Sequence, residues 1–300
     1  MKKEDFQFKD RIIKGITKEG HFKVTVVKTT DVVKEAKKRH GLSLLNTVVL
    51  GRALTGVMLL ASELKKEERV QLRMDGDGPI GFVIAEANSL GEIRGYVKEP
   101  QAELDYSSSD VTIGDGIGLG ILSFTKVLYN EAEPRVSTIE LIKGDVNSDI
   151  AHYLTQSEQI PSAVLLDVDI DEEGEVTQAG GLLIQRLGGA SEGQIEMLQE
   201  RLTSFPSISD LLDDGQYIDE IMKKAVSPIE VKELDRQPVD FFCRCNRDRF
   251  LSALAMLSFD DLKDLEGESQ EIVCHYCNNK EVFSKEEIEK LITKAQAKLN

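Results

Sequence analysis

The chain has 300 residues, a formal net charge of −16, 41% hydrophobic residues, 6% aromatics and no Trp. That length holds one large domain with a sizeable core and a small second one. So acidic a surface repels phosphate backbones and anionic lipid, and the few aromatics offer little for base stacking, so neither nucleic acid nor a membrane is an expected partner.

No apolar segment follows the opening Met1-Lys2-Lys3-Glu4-Asp5-Phe6 in the manner of a secretory signal, and a cytoplasmic location is expected. Arg11 to Lys18 and His21 to Thr29 have the alternation and β-branched content of strands. Asp31 to Arg39 reads as a short helix with Gly41 just past its end. Leu42 to Ser62 imitates a membrane span. Arg52, Asn46 and the small residues Gly51, Ala53, Gly56 and Ala61 instead mark it as a buried core helix, since Arg at a bilayer centre costs at least about 2.5 kcal/mol. Arg69 to Met74 and Ile80 to Ala87 suit two strands joined by the turn Asp75-Gly76-Asp77-Gly78-Pro79. Leu119 to Leu128, Arg135 to Lys143, Ala163 to Ile170 and Ala179 to Leu187 are further strand candidates. Strands dominate and helices do not strictly alternate with them, so an α+β fold is expected: a large mixed strand and helix domain over 1–187.

The composition shifts at Gly188-Gly189. Residues 190–235 hold eleven Asp and Glu against four Lys and Arg, a net charge of −7. Gln194 to Leu202, Ile208 to Leu212 and Ile218 to Ala225 have helical patterns, interrupted by Pro206 and Pro228. Isolated helices shorter than about 12–15 residues are marginal, so 188–234 reads as an acidic helical linker whose order depends on what it docks against. In the segment 235–300, Arg247 to Leu257 and Phe259 to Leu265 look helical, and Ser284-Lys285-Glu286-Glu287 is a capping box for a final helix.

The four cysteines all lie in that last segment, as Cys243-Arg244-Cys245 and, after 28 intervening residues, Cys274-His275-Tyr276-Cys277. Two thiolates on one tight turn, met by two more from a distant turn, supply the tetrahedral sulfur set that a structural zinc takes, one ion per chain. Four unrelated buried thiols are the plain alternative, and the pairing of pairs argues against it. His275 is a possible substitute ligand, although four thiolates already close a site. Arg244, Arg247 and Arg249 form either a solvated basic face or a means of lowering the thiol pKa values. The run Gly114-Asp115-Gly116-Ile117-Gly118-Leu119-Gly120 lacks the Lys-Ser/Thr of a phosphate-binding loop and reads as turn glycines. His21, His40 and His152 have no partner visible in the sequence, no catalytic constellation is seen, and the protein is not expected to be an enzyme. A zinc-containing thiol–disulfide oxidoreductase is the rival reading, but its Cys-x-x-Cys would open a helix, whereas Asn278 to Phe283 looks like a turn and strand.

With Cys-Arg-Cys-Asn-Arg-Asp-Arg at 243–249 and Cys-His-Tyr-Cys-Asn at 274–278, the chain resembles the redox-regulated 33 kDa chaperonin family, heat shock protein 33. Leu50-Gly51-Arg52-Ala53-Leu54-Thr55, Gly76-Asp77-Gly78-Pro79-Ile80-Gly81 and Gly180-Gly181-Leu182-Leu183-Ile184-Gln185 support the likeness, as does the 33.4 kDa mass. It departs at Leu187-Gly188-Gly189-Ala190, where the family pattern has a proline before the second glycine. The resemblance implies an ATP-independent holdase that protects unfolding client proteins under oxidative stress and heat. On that view Cys243, Cys245, Cys274 and Cys277 hold zinc when reduced. Oxidation forms disulfides and expels the metal, the 235–300 redox-switch domain and the linker unfold, and the active form is a homodimer. Neighbouring cysteines are expected to pair, Cys243 with Cys245 and Cys274 with Cys277, because cross-pairing needs the long intervening loop to stay folded during oxidation. A small C-terminal domain has a core worth about 3–5 kcal/mol, while a structural zinc contributes about 10–16 kcal/mol, so metal loss is expected to unfold it.

Overall fold

The structure, a computed structural model, describes residues 9–107 and 109–299. It is an α+β protein that divides into two compact units, Met1–Phe242 and Cys243–Asn300.

The first unit is built on two sheets. In the five-stranded sheet, β1 (Arg11–Thr17), β2 (Phe22–Lys28), β8 (Ser162–Ile170), β9 (Val176–Arg186) and β10 (Val231–Pro238) run antiparallel in the order β10-β1-β2-β9-β8. The six-stranded sheet has the order β11-β5-β4-β3-β6-β7. Its members are β3 (Arg69–Gly76), β4 (Phe82–Asn88), β5 (Glu92–Val97), β6 (Gly120–Val127), β7 (Arg135–Glu140) and the two-residue β11 (Asp240–Phe241). Only β11 pairs parallel, alongside β5. The strands expected from alternation are present within a few residues of their expected ends. Sequence reading did not supply β5, β10 and the two-residue β11.

The apolar stretch forms α2 (Leu44–Ala61), capped by the Ser43 side chain accepting from Asn46 N. It is long and apolar enough to cross a membrane, yet 78% of it is buried inside the fold. Val49, Leu50, Leu54, Val57 and Met58 pack with Leu72, Met74, Val83 and Phe124 of one sheet and Val27, Leu166 and Leu183 of the other. Small residues make that fit possible: a Cβ on Gly56 would stand 2.5 Å from Ile150 Cδ1. The preceding helix α1 (Thr30–His40) ends at Gly41 in the left-handed region, as expected. The glycine run at 114–120 forms a short 3-10 turn, Ile113–Gly116, and a tight approach to Gly76–Gly78, with Gly78 N donating to Ile117 O at 2.8 Å. A further element that sequence reading did not supply, α3 (Val146–Gln156), is capped by Asp145 and buries Val146, Ile150, Tyr153 and Leu154.

The five-stranded sheet is buried on both faces, which explains the near-continuous apolar run Val24-Thr25-Val26-Val27 in β2. Its outer face carries Ile13, Phe22, Val24, Val26, Leu182 and Ile184. Covering it are α4 (Glu192–Thr203), α5 (Ile208–Asp213) and α6 (Ile218–Val226), the three helices expected in the acidic segment. They contribute Leu198, Ile208, Leu211, Leu212, Ile218, Ile221, Met222, Ala225 and Val226 to one cluster, with Ile195 and Leu202 at its margin. The side chains of Ser191 and Ser207 cap the first two, and at the third Tyr217 N donates to Glu220 Oε2 at 2.8 Å.

Expected boundaries fall differently at two points: 188–234 is not a separate linker but lies inside the first unit, packed on its five-stranded sheet, and the last boundary moves. A break at 234/235 would cut β10, whereas the first unit runs to Phe242, because β10 pairs with β1 along its length and β11 pairs with β5. Phe242 N still donates to Ile93 O at 2.9 Å, and the chain passes directly into Cys243.

The second unit contains α7 (Arg247–Leu254), α8 (Phe259–Lys263), the hairpin β12 (Gln270–Val273) and β13 (Lys280–Phe283), and α9 (Lys285–Leu299). Its buried apolar core is small: Phe250, Leu254, Leu262, Phe283, Ile288 and Ile292. The capping box at α9 is present, with Ser284 N donating to Glu287 Oε2 at 2.9 Å.

Candidate metal centre

Two local arrangements bring the cysteines into position. Cys243 and Cys245 sit on an extended segment ended by Asn246, whose side chain accepts from Arg249 N at 2.9 Å and starts α7. Cys274 and Cys277 occupy the turn of the β12–β13 hairpin. Cys274 O accepts from Asn278 N at 2.7 Å, Cys274 N donates to Asn279 O at 2.9 Å, and Asn278 takes φ +55°. Asn tolerates the left-handed region better than most residues, so the turn closes tightly.

All four Sγ atoms lie within 4.8 Å of one another. Cys243 and Cys274 approach to 3.7 Å, and Cys245 and Cys277 to 3.2 Å. A metal 2.3 Å from each of four tetrahedral sulfurs would set them about 3.8 Å apart. The donor set therefore fits a metal ion with small adjustments. His275 is not among the ligand atoms that converge there.

Burial raises the Cys277 thiol well above its ordinary pKa, with the neighbouring sulfurs adding to it; burial also raises Cys245, opposed by its contact with Cys277 and helped by Cys243 and Cys274. Several thiolates crowded in a partly desolvated place repel one another, and a divalent cation relieves that repulsion. For Cys245 and Cys277 the net shifts run upward, opposite to the lowering that nearby arginines would give. Arg247 instead engages carboxylates: Nη2 donates to Glu287 Oε1 and Oε2 at 2.7 and 2.8 Å, and Nη1 donates to Glu281 Oε2 at 3.2 Å. Sequence reading gave Glu281 and Glu287 no place in the site. The only signal was the capping-box position of Glu287, which explains its helix but not its arginine.

Neither Cys274 nor Cys277 lies at a helix start, since both belong to the hairpin turn between β12 and β13. The helix-dipole stabilisation that an oxidoreductase thiolate draws on is missing from that pair. Of the scattered histidines, His21 Nδ1 lies 3.1 Å from Gln194 Oε1, joining the β1–β2 turn to α4.

A two-sheet domain wrapped round a buried helix, followed by a small module with four convergent cysteines, defines a recognisable class. The family profile described as Hsp33 protein matches residues 10–284. Proteins named 33 kDa chaperonin are similar along nearly the whole length. The one from Desulforamulus reducens is 36% identical over 292 residues, covering 96% of this chain and 99% of that one. The one from Carboxydothermus hydrogenoformans is 40% identical over 282 residues, covering 93% and 96%. The crystal structure of the 33 kDa chaperonin from Thermotoga maritima superposes with a TM-score of 0.88 at 34% identity, covering 96% of this chain and 99% of that one. The chain belongs to the Hsp33 family.

Proposed function

We propose that this protein is a redox-regulated, ATP-independent holdase chaperone, in which one zinc ion on Cys243, Cys245, Cys274 and Cys277 keeps the activity off. The observation that carries this reading is the convergence of four sulfurs within 4.8 Å in a unit whose buried apolar core, among the described residues, is six side chains. So small a core supplies about 3–5 kcal/mol, whereas a structural zinc adds about 10–16 kcal/mol. Oxidation of the thiolates would remove the ligands, and the unit would unfold with metal loss. Soft, closed sulfur sites select zinc over harder cations.

Release of the lid formed by α4–α6 is the second half of the reading. Ordering each residue costs about 1–2 kcal/mol, and a fully buried aliphatic side chain returns about 1.5–3 kcal/mol. Most lid residues stay at least partly exposed, so the margin holding the lid down is thin. Undocking would expose Ile13, Val24, Val26, Leu182 and Ile184 on the sheet and the apolar faces of the helices. Apolar areas of that kind bind unfolding client proteins. Chain continuity from β11 into Cys243 couples the two events. Family membership supports a cytoplasmic holdase that works under oxidative stress and heat as a homodimer when oxidised, without nucleic acid or membrane partners.

Neighbour disulfides, Cys243–Cys245 and Cys274–Cys277, follow from this order of events. Once the unit unfolds, only thiols close in sequence stay close in space, because loop closure grows costlier with length. The test of function is suppression of aggregation of a thermally unfolding client, without ATP, by reduced and by peroxide-treated protein. Suppression by the treated protein alone is expected. Equal suppression by both forms, or by neither, overturns the reading.

A further inference from the structure

Arg247 is the first residue of α7, two positions after Cys245, and its guanidinium reaches three other parts of the same unit. Nη2 holds both oxygens of Glu287 at 2.7 and 2.8 Å. Nη1 reaches Glu281 Oε2 at 3.2 Å and the Val282 carbonyl at 3.1 Å. Its Cζ lies 4.5 Å from the ring centroid of Phe283, which is fully buried. Glu287 is fixed in turn by accepting from Ser284 N, and the Arg247 guanidinium holds its carboxyl below the usual range. One side chain thus ties the arm bearing Cys243 and Cys245 to β13, just beyond Cys277, and to the start of α9. None of these bonds involves sulfur.

We propose that Arg247 is a positioning residue that holds the two cysteine arms together from outside the metal centre, and so sets how fast the centre opens to a chelator or an oxidant. This rests on the reading of the four cysteines as metal ligands. Metal release requires the arms to part, and every bond of Arg247 crosses the line along which they part. Arginine suits the role because a planar fork can take a carboxylate in two bonds, a second carboxylate, a carbonyl and a ring face at once, whereas a lysine ammonium cannot. The guanidinium is partly exposed, 41% by side chain, so the clamp is of moderate strength and screened by salt.

The test uses the reduced full chain loaded with Co(II), whose thiolate charge-transfer band reports the centre, and follows loss of the band to excess chelator. Arg247→Met should release metal about threefold to fivefold faster than the unchanged protein, the range a partly exposed ion pair supports. Arg247→Lys should fall between. Raising salt from about 0.05 M to about 0.5 M should accelerate release from the unchanged protein and leave Arg247→Met unaffected. Ile292→Ala, which trims the core of the same unit without touching the clamp, should keep the salt dependence. Glu287→Gln supplies the same comparison should Arg247→Met fail to fold. If the unchanged protein shows no thiolate band, the ligand reading fails and the clamp with it. If the band is present and Arg247→Met (or Glu287→Gln in its place) releases at the unchanged rate, or keeps the salt dependence, the clamp alone is overturned.

Discussion

On the proposed reading each of the four cysteines is one quarter of a closed site, so the four should behave alike on substitution. Replacing any one by Ser removes a soft donor and leaves three, and metal analysis of the reduced variants should find weakened zinc retention in each. Full retention in any single variant would take that residue out of the ligand set. A second residue-scale prediction concerns Asp10. Burial raises its carboxyl to about 6, against the pull of Lys28 at 3.4 Å and of Val32 N, which donates to Oδ2 at 2.8 Å; Asp31 adds a smaller upward push. A folded-state pKa above the unfolded one means that the protonated side chain contributes stability below about pH 4. That contribution is lost as pH rises through about 6. The amplitude is about 3 kcal/mol as an order of magnitude. Relative to Asp10→Asn, the unchanged protein should therefore lose stability to denaturant between about pH 4 and pH 6 and level off above. A flat difference across that window contradicts the assignment.

At the scale of elements, the proposed function turns on α4–α6, which cover the outer face of the five-stranded sheet. Ile221 is fully buried between α6 and the outer face of the five-stranded sheet. Ile221→Ala should weaken docking by about 2–5 kcal/mol, and the reduced variant should suppress client aggregation without peroxide. Silence of that variant would argue against α4–α6 as a cover. Truncation near Gly188 is a blunter version of the same test, because it also removes β10 and leaves β1 as an exposed edge. What could be read from sequence follows the same division. The lid helices announced themselves through local apolar periodicity, and the cysteine pairs through their spacing. By contrast β5 carries Gly95 in mid-strand, which weakens a strand signal. β10 reads as a charged run, Val-Lys-Glu-Leu-Asp-Arg-Gln-Pro, because it is an edge strand held by backbone pairing rather than burial. The helix α3 did have a readable signal in Asp145 and the spacing of Val146, Ile150, Tyr153 and Leu154. The bond from Arg247 to Glu287 spans 40 positions, a distance at which single-sequence pattern carries no information.

For the whole molecule, the proposed function has metal on one unit governing a cover on the other, with the chain from β10 through β11 to Cys243 as the link. Disulfide mapping after oxidation bears on the order of events. Neighbour pairs are expected if unfolding precedes the second disulfide, and mainly Cys245 joined to Cys277, already 3.2 Å apart in the folded state, if it does not. The most direct measurement is amide hydrogen exchange across the full chain, comparing reduced zinc-loaded protein with peroxide-treated protein. The account predicts that protection of 192–226 collapses together with that of 243–299, while the amides of β3 and β4 keep theirs. Equal protection of 192–226 in the two forms would contradict it.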